Sequence, residues 1–168
     1  MKAFARTCWE LLLLRSAPNA FPKSWTLLAL FAAAYFLTDA LVALAQGFRA
    51  TPLLLQTVFD TGLQALFFGA LLGVKWLLPR FNQALTAWYG VGTIFNLLFL
   101  PVALLSLLLP NQFTLLLVPF VLLLAWNVAV LAHILRPSLN IGPAFALVIA
   151  AFCMVVNLIV VGSLFPLD

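Results

Sequence analysis

Two aspartates, Asp39 and Asp60, stand inside long apolar stretches of this chain. A carboxylate in such a setting costs at least about 2.5–3.5 kcal/mol unless it is paired, protonated or hydrated. If the first two apolar stretches form a hairpin turning near Arg49, each aspartate lies about ten residues from the turn, and at about 1.5 Å per residue both reach one depth. The stretch around Asp60 adds Thr57, Thr61 and Gln64, which with Asp60 recur at i, i+3, i+4 and i+7 and form one polar face on an oily helix. Tyr35, Thr38 and Asp39 stand ready to meet it from the first stretch. Desolvation and mutual repulsion favour a shared or retained proton on such a pair, which is one way to build a proton or cation site. The plainer reading is polar glue: neutral acids bonded to Thr38, Thr57, Thr61 or Gln64 across helices, at about 0.6 kcal/mol per bond.

A second pair, Asn96 and Asn127, flanks a turn at Asn111, each about fifteen residues from it. Each amide offers a donor and an acceptor, so the two are expected to pair their helices near mid-membrane. Pro101 and Pro119 fall in the outer halves of the same helices, where each removes a backbone hydrogen bond and favours a kink. Kinks at similar depth would splay that hairpin and leave an outer cleft, with Asn157 of the last stretch near the level of the aspartates. His133 and Arg136 close the fourth stretch, where cations complement the C-terminal helix dipole.

Soluble-enzyme chemistry has no foothold here. The chain contains no GxSxG, HExxH, Walker lysine or CxxC pattern, and Cys8 and Cys153 are far apart. No catalytic residue, cofactor, metal or disulfide is therefore expected. Of the 168 residues, 66% are hydrophobic and 7% charged, with a mean hydropathy of +1.21, against about 45–50% and about 25% in soluble domains. Lipid must be the solvent for most of the chain, which excludes a nucleic-acid binder, a disordered chain and a soluble enzyme.

The elements that position these residues are five transmembrane helices, read at about 24–46, 53–78, 84–109, 113–135 and 141–165, each near the ~20 apolar residues that a bilayer requires. The expected fold is all-α and polytopic, one five-helix domain over 24–168 built from antiparallel hairpins. Lys2, Arg6, Arg15, Lys23, Lys75, Arg80 and Arg136 fall on one side against Arg49 on the other. Positive charge marks the cytoplasmic side; the N-terminus is then inside and Asp168 outside. Trp25, Trp76 and Trp88 read as an interfacial belt on the same side. Residues 1–23 read as a cytoplasmic lead containing a short amphipathic helix, with Phe4, Cys8, Leu11 and Leu12 on one face and Lys2, Arg6 and Glu10 on another. The run Leu11 to Leu14 is closed by Arg15, too short for a signal-peptide core.

In layout the chain resembles bacterial members of the Yip (Ypt-interacting protein) membrane family. The stretches that carry the likeness are Leu11-Leu12-Leu13-Leu14-Arg15 followed by Phe21, Trp88-Tyr89-Gly90 opening the third span, and Trp126 with His133-Ile134-Leu135-Arg136 closing the fourth. The Asp-Leu-x-Gly-Pro signature of the eukaryotic relatives does not occur, so binding of Rab-type GTPases is not implied. The resemblance implies a non-enzymatic scaffold or adaptor. The expected function is accordingly an integral membrane scaffold, assembly factor or accessory subunit, with a transporter or channel component using Asp39 and Asp60 as the alternative. Expected partners are the bilayer and other integral membrane proteins or further copies, with no nucleic acid. Economy of loops suits a bacterial inner membrane.

Overall fold

Local signals set the helix ends. In the computed structural model, which describes residues 2–47, 50–108 and 113–165, the described residues form six α-helices and no strand. These are α1 (Lys2–Leu12), α2 (Trp25–Ala45), α3 (Ala50–Val74), α4 (Phe81–Leu108), α5 (Phe113–Leu139) and α6 (Pro143–Leu164). The Arg49 and Asn111 turns, Asp168, and the side chains of Lys2 and Phe4 lie outside the described residues. The Ser24 side chain caps α2 by accepting from the Leu27 N–H at 3.2 Å. Gly142 and then Pro143 start α6, where a proline costs no helical hydrogen bond.

Three helices stop at the end of the molecule that carries most of the lysines and arginines, hereafter the basic end, and all three stop in one way. Leu14, Trp76 and Asn140 have φ of +60°, +57° and +52°. The next amide in each case reaches back five residues: Arg15 to Glu10 O at 2.7 Å, Leu77 to Leu72 O at 2.8 Å, and Ile141 to Arg136 O at 3.2 Å. This left-handed reversal satisfies carbonyls that a helix end leaves bare. α5 runs to Leu139, past the expected stop before Arg136 and through Pro137. Its last carbonyls find a donor in Arg80, whose guanidinium reaches Pro137 O at 2.8 Å, Ser138 O at 3.3 Å and Asn140 Oδ1 at 2.8 Å. One side chain thus ties the α3–α4 turn to the α5–α6 turn.

α2 to α6 are each long and apolar enough to cross a membrane, and the chain is a multi-pass all-α membrane protein. Large apolar side chains such as Leu66, Phe145, Phe152 and Ile159 point away from the bundle, as lipid-facing residues must. The packing closes a ring in the order α2, α4, α5, α6, α3, with α2 on α4 the most extensive contact and α3 also touching α4 and α5. Chain neighbours α4–α5 and α5–α6 pack directly, as their short connections require.

The main hydrophobic core fills the basic half, around Leu72, Ala84, Val91, Val130, Ile134 and Ala150. In the far half a small cluster of Val42, Ala45 and Ala103 is the other core. α1 belongs to the main core. Cys8, Leu11 and Leu12 are buried against α4 and α5, and Trp9, Leu13 and Leu14 face outward. The apolar face read from the sequence as a membrane-surface anchor is therefore covered by the protein's own helices. Trp126 Nε1 donates to Leu12 O at 3.0 Å, and His133 Nε2 lies 2.6 Å from Ser16 O. His133 thus holds the segment after α1, whereas the sequence suggested interfacial capping. Trp25 and Trp76 are exposed, as a belt needs, but Trp88 is buried inside the bundle.

Candidate functional site

The far half of the ring encloses a cavity of about 510 Å³. Asp39, Asp60, Asn96, Asn127 and Asn157 all line it, each from a different helix, α2 to α6 in order. Gln46 and Gln56 line it towards the far ends of α2 and α3, and Phe165 stands where α6 ends. Towards the basic end the packed core fills the interior and gives the cavity a floor, and a separate pocket of about 320 Å³, lined by Arg80, Gln83, Ser138 and Asn140, lies at the basic end itself.

That floor is a hydrogen-bonded layer centred on Asp60. Tyr35 Oη donates to Asp60 Oδ2 at 2.6 Å, and Asn157 Nδ2 donates to Asp60 Oδ1 at 2.7 Å. A hydroxyl and an amide N–H both directed at it suit a carboxylate acting as acceptor. Beneath it, Trp88 Nε1 donates to Gln64 Oε1 at 3.1 Å, and Tyr89 Oη donates to Thr61 O at 2.7 Å. The Tyr35 and Tyr89 rings lie against each other with centroids 5.2 Å apart. The indole read as a belt residue instead anchors α3 to α4.

Glycine makes the approach possible. A Cβ on Gly92 would come within 2.7 and 2.8 Å of Tyr35 ring carbons, and one on Gly90 within 2.8 Å of Cys8 Sγ. α4 therefore carries two notches: one lets the Tyr35 ring slide past to reach Asp60, the other seats α1. The burial at the second notch pushes the Cys8 thiol up to about 11.

Asp39 is placed differently. It lines the same cavity as Asp60, but its Oδ2 is buried with no hydrogen-bond partner. Thr57, fully buried on α3, is near enough to act on it, yet Thr57 Oγ1 makes no hydrogen bond of good geometry either. Thr61 Oγ1, Gln56 Oε1 and Asn127 Oδ1 are likewise buried and unpartnered. Asn96 does not pair with Asn127. Its Nδ2 donates to Thr38 Oγ1 at 3.3 Å, which joins α4 to α2 and leaves Asn127 on the cavity wall.

Depth arithmetic thus brought Asp39, Asp60 and Asn157 to one place, and the structure gathers them with both asparagines. Sequence reasoning missed Gln46 and Gln56. The signal was present: Gln56 precedes Asp60 by four residues and Gln46 follows Asp39 by seven, both helical repeats. Trp88 and Gly92 had no such signal, because their roles depend on which helix lies opposite. Among the described residues no three His, Cys, Asp or Glu side chains converge as a metal centre requires.

Fold and site together define a polytopic helical membrane protein with a polar cavity in one half of its bundle. No protein-family model matches the chain, and no curated protein or solved structure matches it.

Proposed function

We propose that this chain is a non-enzymatic integral membrane scaffold or accessory subunit, seated with its basic end in the cytoplasm of a bacterial inner membrane. The observation that carries the reading is the closed floor. Below Asp60 the space between the spans is filled by apolar residues such as Leu72, Val91, Val130 and Ile134, and the polar residues at the basic end, Arg80, Gln83, Ser138 and Asn140, line a separate pocket of about 320 Å³. Translocation needs a polar path through both halves, and this arrangement supplies a dead end. The Yip-like layout agrees with an adaptor role, and so does a lipid-facing surface on every span that can pack against other membrane helices. A second reading, a transporter component, draws on the five-helix convergence of Asp39, Asp60 and the asparagines.

Mass measurement of the tagged full-length chain, extracted in native nanodiscs with its neighbours identified, tests the first reading. A stoichiometric complex with another membrane protein is expected. A particle containing this chain alone, together with substrate or proton flux in proteoliposomes, would overturn it in favour of the second.

A further inference from the structure

The pocket of about 320 Å³ at the basic end is built where chain segments meet. Pro18 and Asn19 come from the segment after α1, Arg80 and Gln83 from the head of α4, and Ser138 and Asn140 from the tail of α5. Hydrogen bonds fix its walls. Gln83 Nε2 donates to Phe21 O at 2.6 Å, while Arg80 Nη1 serves Pro137 O and Ser138 O and donates to Asn140 Oδ1 at 2.8 Å. The start of α4 and the end of α5 bring helix dipoles of opposite sign, so the guanidinium sets the charge of the pocket.

That charge meets no counterion among the described residues. The acids there are Glu10, which bonds Arg6 at 2.8 Å, and Asp39 and Asp60, which line the far cavity. Neutral carbonyl and amide oxygens engage Arg80 and leave its net charge in place. All of these bonds leave from Nη1. The Nε–Nη2 edge, which can grip two oxygens of an oxyanion side by side, has no partner among the described residues. Asn140 adds a donor, because with Oδ1 turned to Arg80 its Nδ2 is left to give. Asn19 and Asn140 are both exposed on the pocket, so these amides can be reached.

Surroundings point to the kind of anion. Arg15, Lys23, Lys75 and Arg136 are exposed at the same end and draw negative charge towards it. Trp76, 90% exposed and on the same turn as Arg80, stands where an indole meets lipid headgroups. Basic pockets between transmembrane helices at that level suit phosphate-bearing headgroups. A carboxylate would spend both oxygens on the guanidinium, whereas a phosphate has further oxygens for the amides.

We propose that this pocket binds a phosphate group, gripped by the Nε–Nη2 edge of Arg80 and by the side-chain amides of Asn140 and Asn19. Its source is an anionic phospholipid headgroup or a soluble phosphate. The site goes beyond the accessory-subunit reading and stands independently of it, because it rests on the pocket alone.

Thermal unfolding of the full-length protein in maltoside micelles tests it, since a ligand of the folded state raises the midpoint in proportion to its affinity. The probes are dihexanoyl-phosphatidylglycerol, its phosphate-free counterpart dihexanoylglycerol, and inorganic phosphate. Phosphatidylglycerol should bind roughly tenfold or more tighter than the diglyceride. Inorganic phosphate binding as tightly as the lipid makes a soluble phosphate the ligand, and weaker binding makes it the headgroup. Asn140→Asp keeps an acceptor for Arg80 and tolerates the left-handed backbone at φ +52°. It also sets a carboxylate beside the guanidinium, so it should weaken the anion roughly tenfold or more without lowering the midpoint of the ligand-free protein. Lys23→Gln, which removes an exposed charge outside the pocket, should change affinity less than about threefold. Should Asn140→Asp fail to fold, Asn19→Asp on the exposed segment after α1 takes its place, with a loss of about threefold or more expected. Equal affinity for phosphatidylglycerol and the diglyceride with no binding of phosphate overturns the proposal, as does unchanged anion binding in the aspartate variant. Equal losses in the aspartate variant and Lys23→Gln overturn it too, because they would show attraction by the basic end at large.

Discussion

Tyr35 and Asp60 form the shortest polar contact between two spans, at 2.6 Å, and their coupling can be measured. Removing the hydroxyl in Tyr35→Phe should cost about 1–2 kcal/mol, the range for a hydrogen bond to a charged group moderated by the modest values found in membranes. Asp60→Asn in that background should add less than it costs alone; additive losses in unfolding from bicelles would show that the two groups do not act together. Cys8 gives a separate check. With its thiol moved from 9.0 to about 11 by burial, it stays protonated where an exposed thiol has begun to ionise. Alkylation by iodoacetamide at pH 8.5 should therefore be far slower than in the denatured chain. Because the folded pKa is the higher one, α1 docking is fully supported below about 9 and weakens as the pH rises towards 11. Trp126→Phe, which removes the donor to Leu12 O, should speed the alkylation. The aspartates were legible in the sequence because an ionisable group in an apolar run stands out. Gly92 was not, because its meaning lies in a tyrosine on another helix.

At the scale of elements, α4 is the helix on which the rest depends: α2, α3, α5 and α1 all pack on it. Its two glycine notches give a paired prediction. Gly92→Ala places a Cβ within 2.8 Å of the Tyr35 ring and should destabilise by about 1–3 kcal/mol as the ring is displaced. Gly62→Ala on α3 meets nothing within 4 Å and should stabilise by about 0.5–1 kcal/mol through helix propensity. Thermal unfolding of the two variants side by side checks this; equal effects would contradict the notch. The number of spans and their approximate extents were readable because charge, proline and glycine bound the apolar runs, although α3 stops at Val74, short of the expected 78. α5 overran its expected end, and Arg80, fifty-seven residues before Pro137, serves the last carbonyls, those of Pro137 and Ser138, which the helix end leaves bare. α1 was recognisable as amphipathic, but an apolar face looks the same whether lipid or α4 covers it.

Over the whole molecule, the far half holds the larger cavity and the basic half the packed core, with Asp60 at the boundary and a separate pocket of about 320 Å³ beside Arg80 at the basic end. An outer cleft at the level of Asp39, Asp60 and Asn157 was legible from depth alone, but the helix order was not, since lipid-facing and helix-facing positions are both apolar here and leave no periodic signal for it. What the sequence did disclose was the set of polar residues that have to avoid lipid, and the ring order α2, α4, α5, α6, α3 turns that set into a cavity. The most direct test is sided chemical access in a background with Cys8→Ala and Cys153→Ala. Gln56→Cys on the cavity wall and Val91→Cys in the closed half would be exposed in oriented vesicles to a membrane-impermeant methanethiosulfonate. The account predicts modification of Gln56→Cys only from the face opposite the basic end, and none of Val91→Cys from either face. Labelling of Val91→Cys, or of Gln56→Cys from the basic face, would contradict the closed floor.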